Sequence, residues 1–200
     1  MIPSVQPAAL AYVKDYCDIE RRLRAVPPSA RVRGMGFGVF REAARRADQE
    51  SLYDELTRGA RFKALHAYPL GEYLVLLALA GALVAGREQV LQGIFEVSRH
   101  NARAYADSLL GRTLIRLLAH DPVRLSEQGL AMRRHVSLYG HWELLRRGPR
   151  ELEMCYRDEY IWIEHALAGA AQGTFEACGL HPQIETRLDE AYNGATIIRW

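Results

Sequence analysis

The spacing of apolar residues divides the chain into a long helical part and a short terminal part of different character. Residues 7–25, PAALAYVKDYCDIERRLRA, put Leu10, Val13, Cys17 and Arg21 on one stripe at helical spacing and predict a first helix. VPPSA, residues 26–30, ends it, because proline lacks an amide and clashes with the preceding turn. The break makes residues 1–30 a helical arm docked on a single domain, residues 31–200. Val39, Phe40, Ala43, Ala44 and Ala47 again repeat at helical spacing. DQESLYDELTRGARF continues as a second helix with Leu52, Leu56 and Phe62 inward and Asp48 as its N-cap. AYPLGEY then turns into the most apolar run, YLVLLALAGALVAG, read as a buried helix over residues 72–85. Beyond it, one or two helices carry the core stripe Val90, Ile94, Val97, Tyr105, Leu109, Ile115 and Leu118. Residues 121–150 show no regular period and end in a Gly148–Pro149 turn.

The last fifty residues alternate instead. In ELEMCYR, Leu152, Met154 and Tyr156 face one way and Glu151, Glu153 and Cys155 the other, the period of a strand. EYIWIEHALAGAAQGTFEACG reads as a long helix closed by Gly179. QIETRL and ATIIRW read as a hairpin whose loop holds Asn193–Gly194. The predicted fold class is α+β: mainly helical N-terminal two thirds, then strand, long helix and β-hairpin forming a small sheet.

Composition changes this picture little and excludes several functions. With 49% hydrophobic and 25% charged residues the chain is ordinary globular material. A net charge of +2 is too small to indicate nucleic acid. Lys14 and Lys63 are its only lysines, a bias that follows from a GC-rich genome more readily than from phosphate binding. Cys17, Cys155 and Cys178 lie far apart without CxxC spacing, which argues against a disulfide frame or zinc site and for a reducing cytoplasm. The N-terminus lacks a signal-peptide pattern. The run at 73–86 is shorter than the roughly 20 residues of a membrane span.

Candidate chemistry is sparse. RVRGMGFGVFREAARR holds Gly34, Gly36 and Gly38 at alternate positions, with Val39 where a dinucleotide loop needs its third glycine. Close backbone packing is the favoured use, and an anion held by Arg31 and Arg33 the alternative. His66, His100, His120, His135, His141, His165 and His181 form no HExxH, so no metal is expected. Asp158 is read as the N-cap of the long helix. No GxSxG is present, and no acid–base or nucleophile set appears, so no catalytic residue and no enzyme activity are expected. Ala166, Gly169, Ala170, Gly173 and Ala177 make a small-residue stripe, expected to seat the helix on the sheet, with a homodimer as its other use.

VRGMGFGVFREA, HALAGAAQGTFEACG and the terminal ATIIRW resemble an uncharacterised family of proteins of this length, largely restricted to myxobacteria, over about residues 30–200. In layout the chain is more distantly similar to the haem nitric-oxide-binding domain and to the four-vinyl-reductase and trafficking-particle group. That resemblance implies that the glycine stretch serves packing. In the haem family a Tyr-x-Ser-x-Arg pattern before the long helix holds the haem propionates. Here Tyr156 matches, but Asp158 stands for the serine and Tyr160 for the arginine, and His135 falls near the iron-binding histidine without diagnostic flanks. No cofactor is therefore expected, and haem-based gas sensing stays a minor alternative.

The expected function is a cytoplasmic, non-enzymatic signalling, sensing or interaction module. It would bind a small apolar ligand or a protein partner at the helical–sheet junction, with no nucleic acid and no membrane span. Tyr68, Tyr105, His135, Tyr139, Trp142, Tyr156 and Trp162 are its candidate lining. The alternative is an oligomerising structural protein in which ATIIRW, at a sheet edge, pairs with a second copy.

Overall fold

Pro7 opens helix α1 (Pro7–Val13), a position where a missing amide costs nothing. In the computed structural model the described residues are 6–107 and 121–200, without the side chains of 104–107, so Leu109, Ile115, Leu118 and the Tyr105 side chain lie outside them. The single helix expected over 7–25 is two, since α2 spans Ile19–Ala25. The residues between include Asp15 and Asp18, a residue type disfavoured inside helices. Asp18 accepts hydrogen bonds from Arg21 at 2.8 Å and Arg22 at 3.1 Å. The break re-phases the stripe, burying Ala9, Val13, Ile19 and Leu23 while Arg21 stays exposed.

The chain divides into two compact units. The first comprises the residues up to Val97 together with Val136–Tyr139. In it β1 (Arg31–Arg33) runs antiparallel between β2 (Ala67–Pro69) and β3 (Ser137–Leu138). Helices α3 (Gly38–Arg46) and α4 (Glu50–Thr57) follow β1. Asp48 does not cap α4: it occupies a left-handed turn (φ 56°), and Gln49 takes the N-cap position. Arg58, also left-handed (φ 51°), ends the helix before Phe62. Phe62 stacks on Phe37 instead, at 4.2 Å between ring centroids.

Helix α5 (Leu70–Ala85) is apolar all round, and every residue from Leu74 to Ala80 is buried. Such a helix is stable only at the centre of its unit, and each buried leucine contributes about 1.5–3 kcal/mol. Glu72 is the exception on it, a buried carboxyl pushed up by desolvation and held by Gln6. Helix α6 (Val90–Asp107) buries Val90, Ile94 and Val97. A methyl group at Gly93 would overlap the Gly81 carbonyl, so the two helices cross backbone to backbone. Of the glycines in the opening stretch Gly34 acts similarly, while a side chain at Gly36 would face only side chains and one at Gly38 would meet nothing within 4 Å. Gly34 N–H donates to His66 O at 2.8 Å, Met35 N–H to Ala64 O at 3.0 Å, and a side chain at Gly34 would strike the Lys63 carbonyl.

The second unit comprises Ser98–His135 and Gly140–Trp200. Its sheet has the antiparallel order β4 (His141–Gly148), β5 (Glu151–Arg157), β7 (Asn193–Arg199), β6 (Gln183–Glu190). Helix α7 (Pro122–Val136) and strand β4 occupy the stretch that shows no period in the sequence. A π-helical turn, Ile163–Leu167, leads into α8 (Ala168–Ala177), and Gly179 (φ 74°) closes it as expected. Leu152, Phe175 and Ile198 form the core between α8 and the sheet. The small-residue stripe meets a helix rather than the sheet: a side chain at Gly173 would strike the α6 backbone at Arg99, whereas Ala171 and Phe175 of α8 pack on the sheet core.

Two further expectations change. Asn193 and Gly194 are the first residues of β7 rather than the hairpin loop, which is Ala191–Tyr192. ATIIRW is not at an edge: β7 pairs with β5 on one side and β6 on the other, so pairing of this strand with a second copy is excluded. Among the described residues no helix is long and apolar enough to cross a membrane.

Gly93→Ala is expected to lower stability by about 1–3 kcal/mol in chemical denaturation, because the colliding atom is backbone. Glu72→Gln is expected to raise the melting temperature at pH 7 by a few °C. A carboxyl with a raised folded-state pKa stabilises the fold fully only when protonated, so stability falls as pH rises through that range. The gain from Gln should therefore shrink towards zero by about pH 4.

Candidate functional site

At the end of β5 the chain reads Tyr156-Arg157-Asp158-Glu159-Tyr160, and its central feature is an acid that the sequence pattern hides. The Glu159 side chain is fully buried. Its Oε2 accepts the Trp142 indole N–H at 2.5 Å, and its Oε1 accepts the Ile161 amide at 3.2 Å. The Arg133 guanidinium lies 3.4 Å from Oε2 and 4.7 Å from the centroid of the Trp142 ring. A carboxylate out of water needs this combination of countercharge and donors.

Each member is placed by a local cause. Arg133 sits in the last turn of α7, where a cation also complements the helix dipole. Trp142 and Tyr156 are directly opposed on β4 and β5 and meet edge to face at 5.0 Å. Asp158 takes a left-handed conformation (φ 53°), and its amide donates to Asn193 Oδ1 at 2.9 Å. Asp158 therefore ends the strand rather than capping a helix: the helical turn begins only at Ile163, with Trp162 in the cap position. The Glu159 amide donates to Tyr192 O at 2.8 Å. Gly140 (φ 61°) turns the chain between β3 and β4, and a side chain there would crowd the Asp158 carbonyl.

Of the seven candidate residues the structure brings Trp142 and Tyr156 into this cluster. The Tyr156 hydroxyl, buried and 3.1 Å from Thr196 Oγ1, is pushed well above its ordinary pKa by desolvation. Trp162 is buried in the same segment, directly after Tyr160 and Ile161. His135 is exposed at the end of α7. Tyr68 belongs to the first unit, in an aromatic cluster with Phe37 and Phe62, and its hydroxyl accepts the Lys63 amide at 2.9 Å. Tyr139 is half-buried beyond β3, also in the first unit. Glu159 and Arg133 are the residues that sequence reasoning missed. The available signal was an acid inside the aromatic run Tyr156 to Trp162.

The chemistry of this strand end does not fit haem. A haem brings carboxylates, which need cations and hydroxyl donors. Here Tyr160 packs against Tyr192 at 5.0 Å between ring centroids. Tyr156 is engaged with Thr196, and Arg133 with the chain's own Glu159. A second carboxylate at the Arg133 guanidinium would meet Glu159 there. Among the described residues no group of three His, Cys, Asp or Glu side chains forms a metal site.

Glu159→Ala is expected to cost about 3–5 kcal/mol in urea denaturation, because it strands the partly buried Arg133 charge. Glu159→Gln, which keeps an acceptor for the Trp142 indole, is expected to cost less.

Solved structures with the same fold include H-NOX proteins. The unliganded Fe(II) H-NOX of K. algicida superposes with a TM-score of 0.65 at 16% identity, over 84% of this chain and 95% of that one. An H-NOX of T. tengcongensis carrying a single substitution gives 0.59 at 14% identity, over 84% and 95%. An oxygen complex of an H-NOX domain related to soluble guanylate cyclases gives 0.60 at 14%, over 84% and 94%. At these identities the likeness is one of fold. Among curated proteins none matches the sequence. The family described as "Protein of unknown function (DUF2378)" matches residues 25–200, and the chain belongs to it.

Proposed function

We propose that the chain is a non-enzymatic sensing or interaction module that uses an H-NOX-like fold without haem. The supporting observation is the buried Glu159 carboxylate, held by Arg133, Trp142 and the Ile161 amide at the strand end. The chain itself supplies there an anion of the kind that a haem propionate would bring. The module binds a small apolar ligand or a protein partner in a reducing, cytoplasmic setting, with Cys17, Cys155 and Cys178 as free thiols. The fold is compatible with a small-ligand role, since its neighbours include an Fe(II) protein and an oxygen complex.

The test is a haem titration of the purified full chain, followed by absorption under oxidising and reducing conditions. The expected result is a spectrum equal to free haem plus protein, with no sharpened Soret band and a response to nitric oxide no different from that of free haem. A stoichiometric Soret shift that responds to nitric oxide would overturn the proposal.

A further inference from the structure

The first unit holds a cleft remote in sequence from the Glu159 cluster. It has a volume of about 530 Å³ and is lined by Tyr12, Tyr16, Gln49, Leu83, Arg87 and Glu88 among others. Its apolar wall is the end of α5, where Ala82, Leu83 and Ala85 contribute. Gly86, in a conformation restricted to glycine (φ 90°), turns the chain so that a short 3₁₀ turn, Arg87–Gln89, leads directly into α6.

The Arg87 guanidinium carbon lies 4.7 Å from the Tyr12 ring centroid and 4.6 Å from that of Tyr16. Two rings hold the cation in place without neutralising it, and among the described residues no carboxylate pairs with it. This sets Arg87 apart from Arg41, Arg99 and Arg133, which all face acids. Stacking leaves the N–H edge of a guanidinium for hydrogen bonding, and that edge matches the paired oxygens of a carboxylate or phosphate. The adjacent start of α6 adds favourable potential for negative charge. A cleft of this volume falls in the range that accepts small ligands.

We propose that this cleft binds a small amphiphilic anion, with a carboxylate or phosphate head on Arg87 and an apolar body along Ala82, Leu83 and Ala85. Tyr12 and Tyr16 set the direction of the guanidinium and wall the site. The proposal goes beyond the haem-independent reading of the strand end and does not depend on it.

The test is calorimetric titration of the full chain with sodium octanoate, octyl phosphate, inorganic phosphate, 1-octanol and phosphatidylglycerol vesicles. Octanoate or octyl phosphate is expected to bind, the stronger of the two identifying the head group. Octanol and inorganic phosphate should each bind at least about tenfold more weakly, since each lacks one half of the recognition. Arg87→Ala should weaken binding at least about tenfold. Because Arg87 also fastens Tyr12 and Tyr16, Arg87→Lys provides a second variant: it keeps the charge over the rings, should melt as wild type, and should still lose affinity with the fork. No binding of either amphiphile, equal binding of octanol, or full affinity in either Arg87 variant would overturn the proposal. So would binding confined to phosphatidylglycerol vesicles, which would assign Arg87 to a membrane surface.

Discussion

A charge removed from water sets the terms for the second unit. Glu159 is buried completely, and a carboxylate in that position is tolerable only if donors and a countercharge surround it. Three separate pieces of chain meet this demand: the last turn of α7 through Arg133, strand β4 through Trp142, and the backbone after β5 through Ile161. Trp142 serves twice, giving its indole N–H to the acid and its ring face to the cation. Around this centre the strand end is fixed by Asn193 on the Asp158 amide and by the Tyr192 carbonyl on the Glu159 amide. These polar contacts tie α7, β4, β5 and β7 to one another.

In the first unit the governing constraint is close approach of backbones. Gly81 and Gly93 let α5 and α6 cross with no side chain between them, and Gly34 lets the loop at Lys63 lie against β1. The second unit repeats the device at Gly173 against Arg99. Aromatic rings then close the space beside Gly34, with Phe37 meeting Phe40, Phe62, Tyr68 and Tyr73. In the opening stretch Gly34 is thus the packing device, while a side chain at Gly38 would meet nothing within 4 Å, and Arg31 nearby donates to the carbonyls of Pro28 and Ala30.

What could be read from the sequence followed the strength of each local signal. The α+β order, the buried helix α5, the strand at ELEMCYR and the glycine stop at Gly179 all came from unbroken periodicity or turn chemistry. Helix α7 is hidden in the sequence because its polar and apolar residues follow no clean stripe: Ser126 is buried while Ala131 is exposed. The caps expected at Asp48 and Asp158 failed for a common reason, since both residues adopt the left-handed conformation that aspartate tolerates better than most. Asn193–Gly194 resembled a turn because Asn-Gly favours turns, yet Asn193 is used to hold Asp158 and Gly194 to admit the Arg187 carbonyl. Of the aromatic candidates, Trp142 and Tyr156 meet, while Tyr68 serves the other unit. Glu159 and Arg133 lie 26 residues apart and share no motif, so only tertiary structure pairs them.

The central claim is that Glu159 lies inside the fold as a hydrogen-bonded anion. Nitrogen-15 NMR of the Trp142 indole tests it most directly, comparing the wild type with Glu159→Gln. The account predicts a strongly downfield, slowly exchanging indole N–H that moves upfield when the acid is replaced by the neutral amide. An indole signal at the position of a solvent-exposed tryptophan, exchanging freely and indifferent to the substitution, would contradict it.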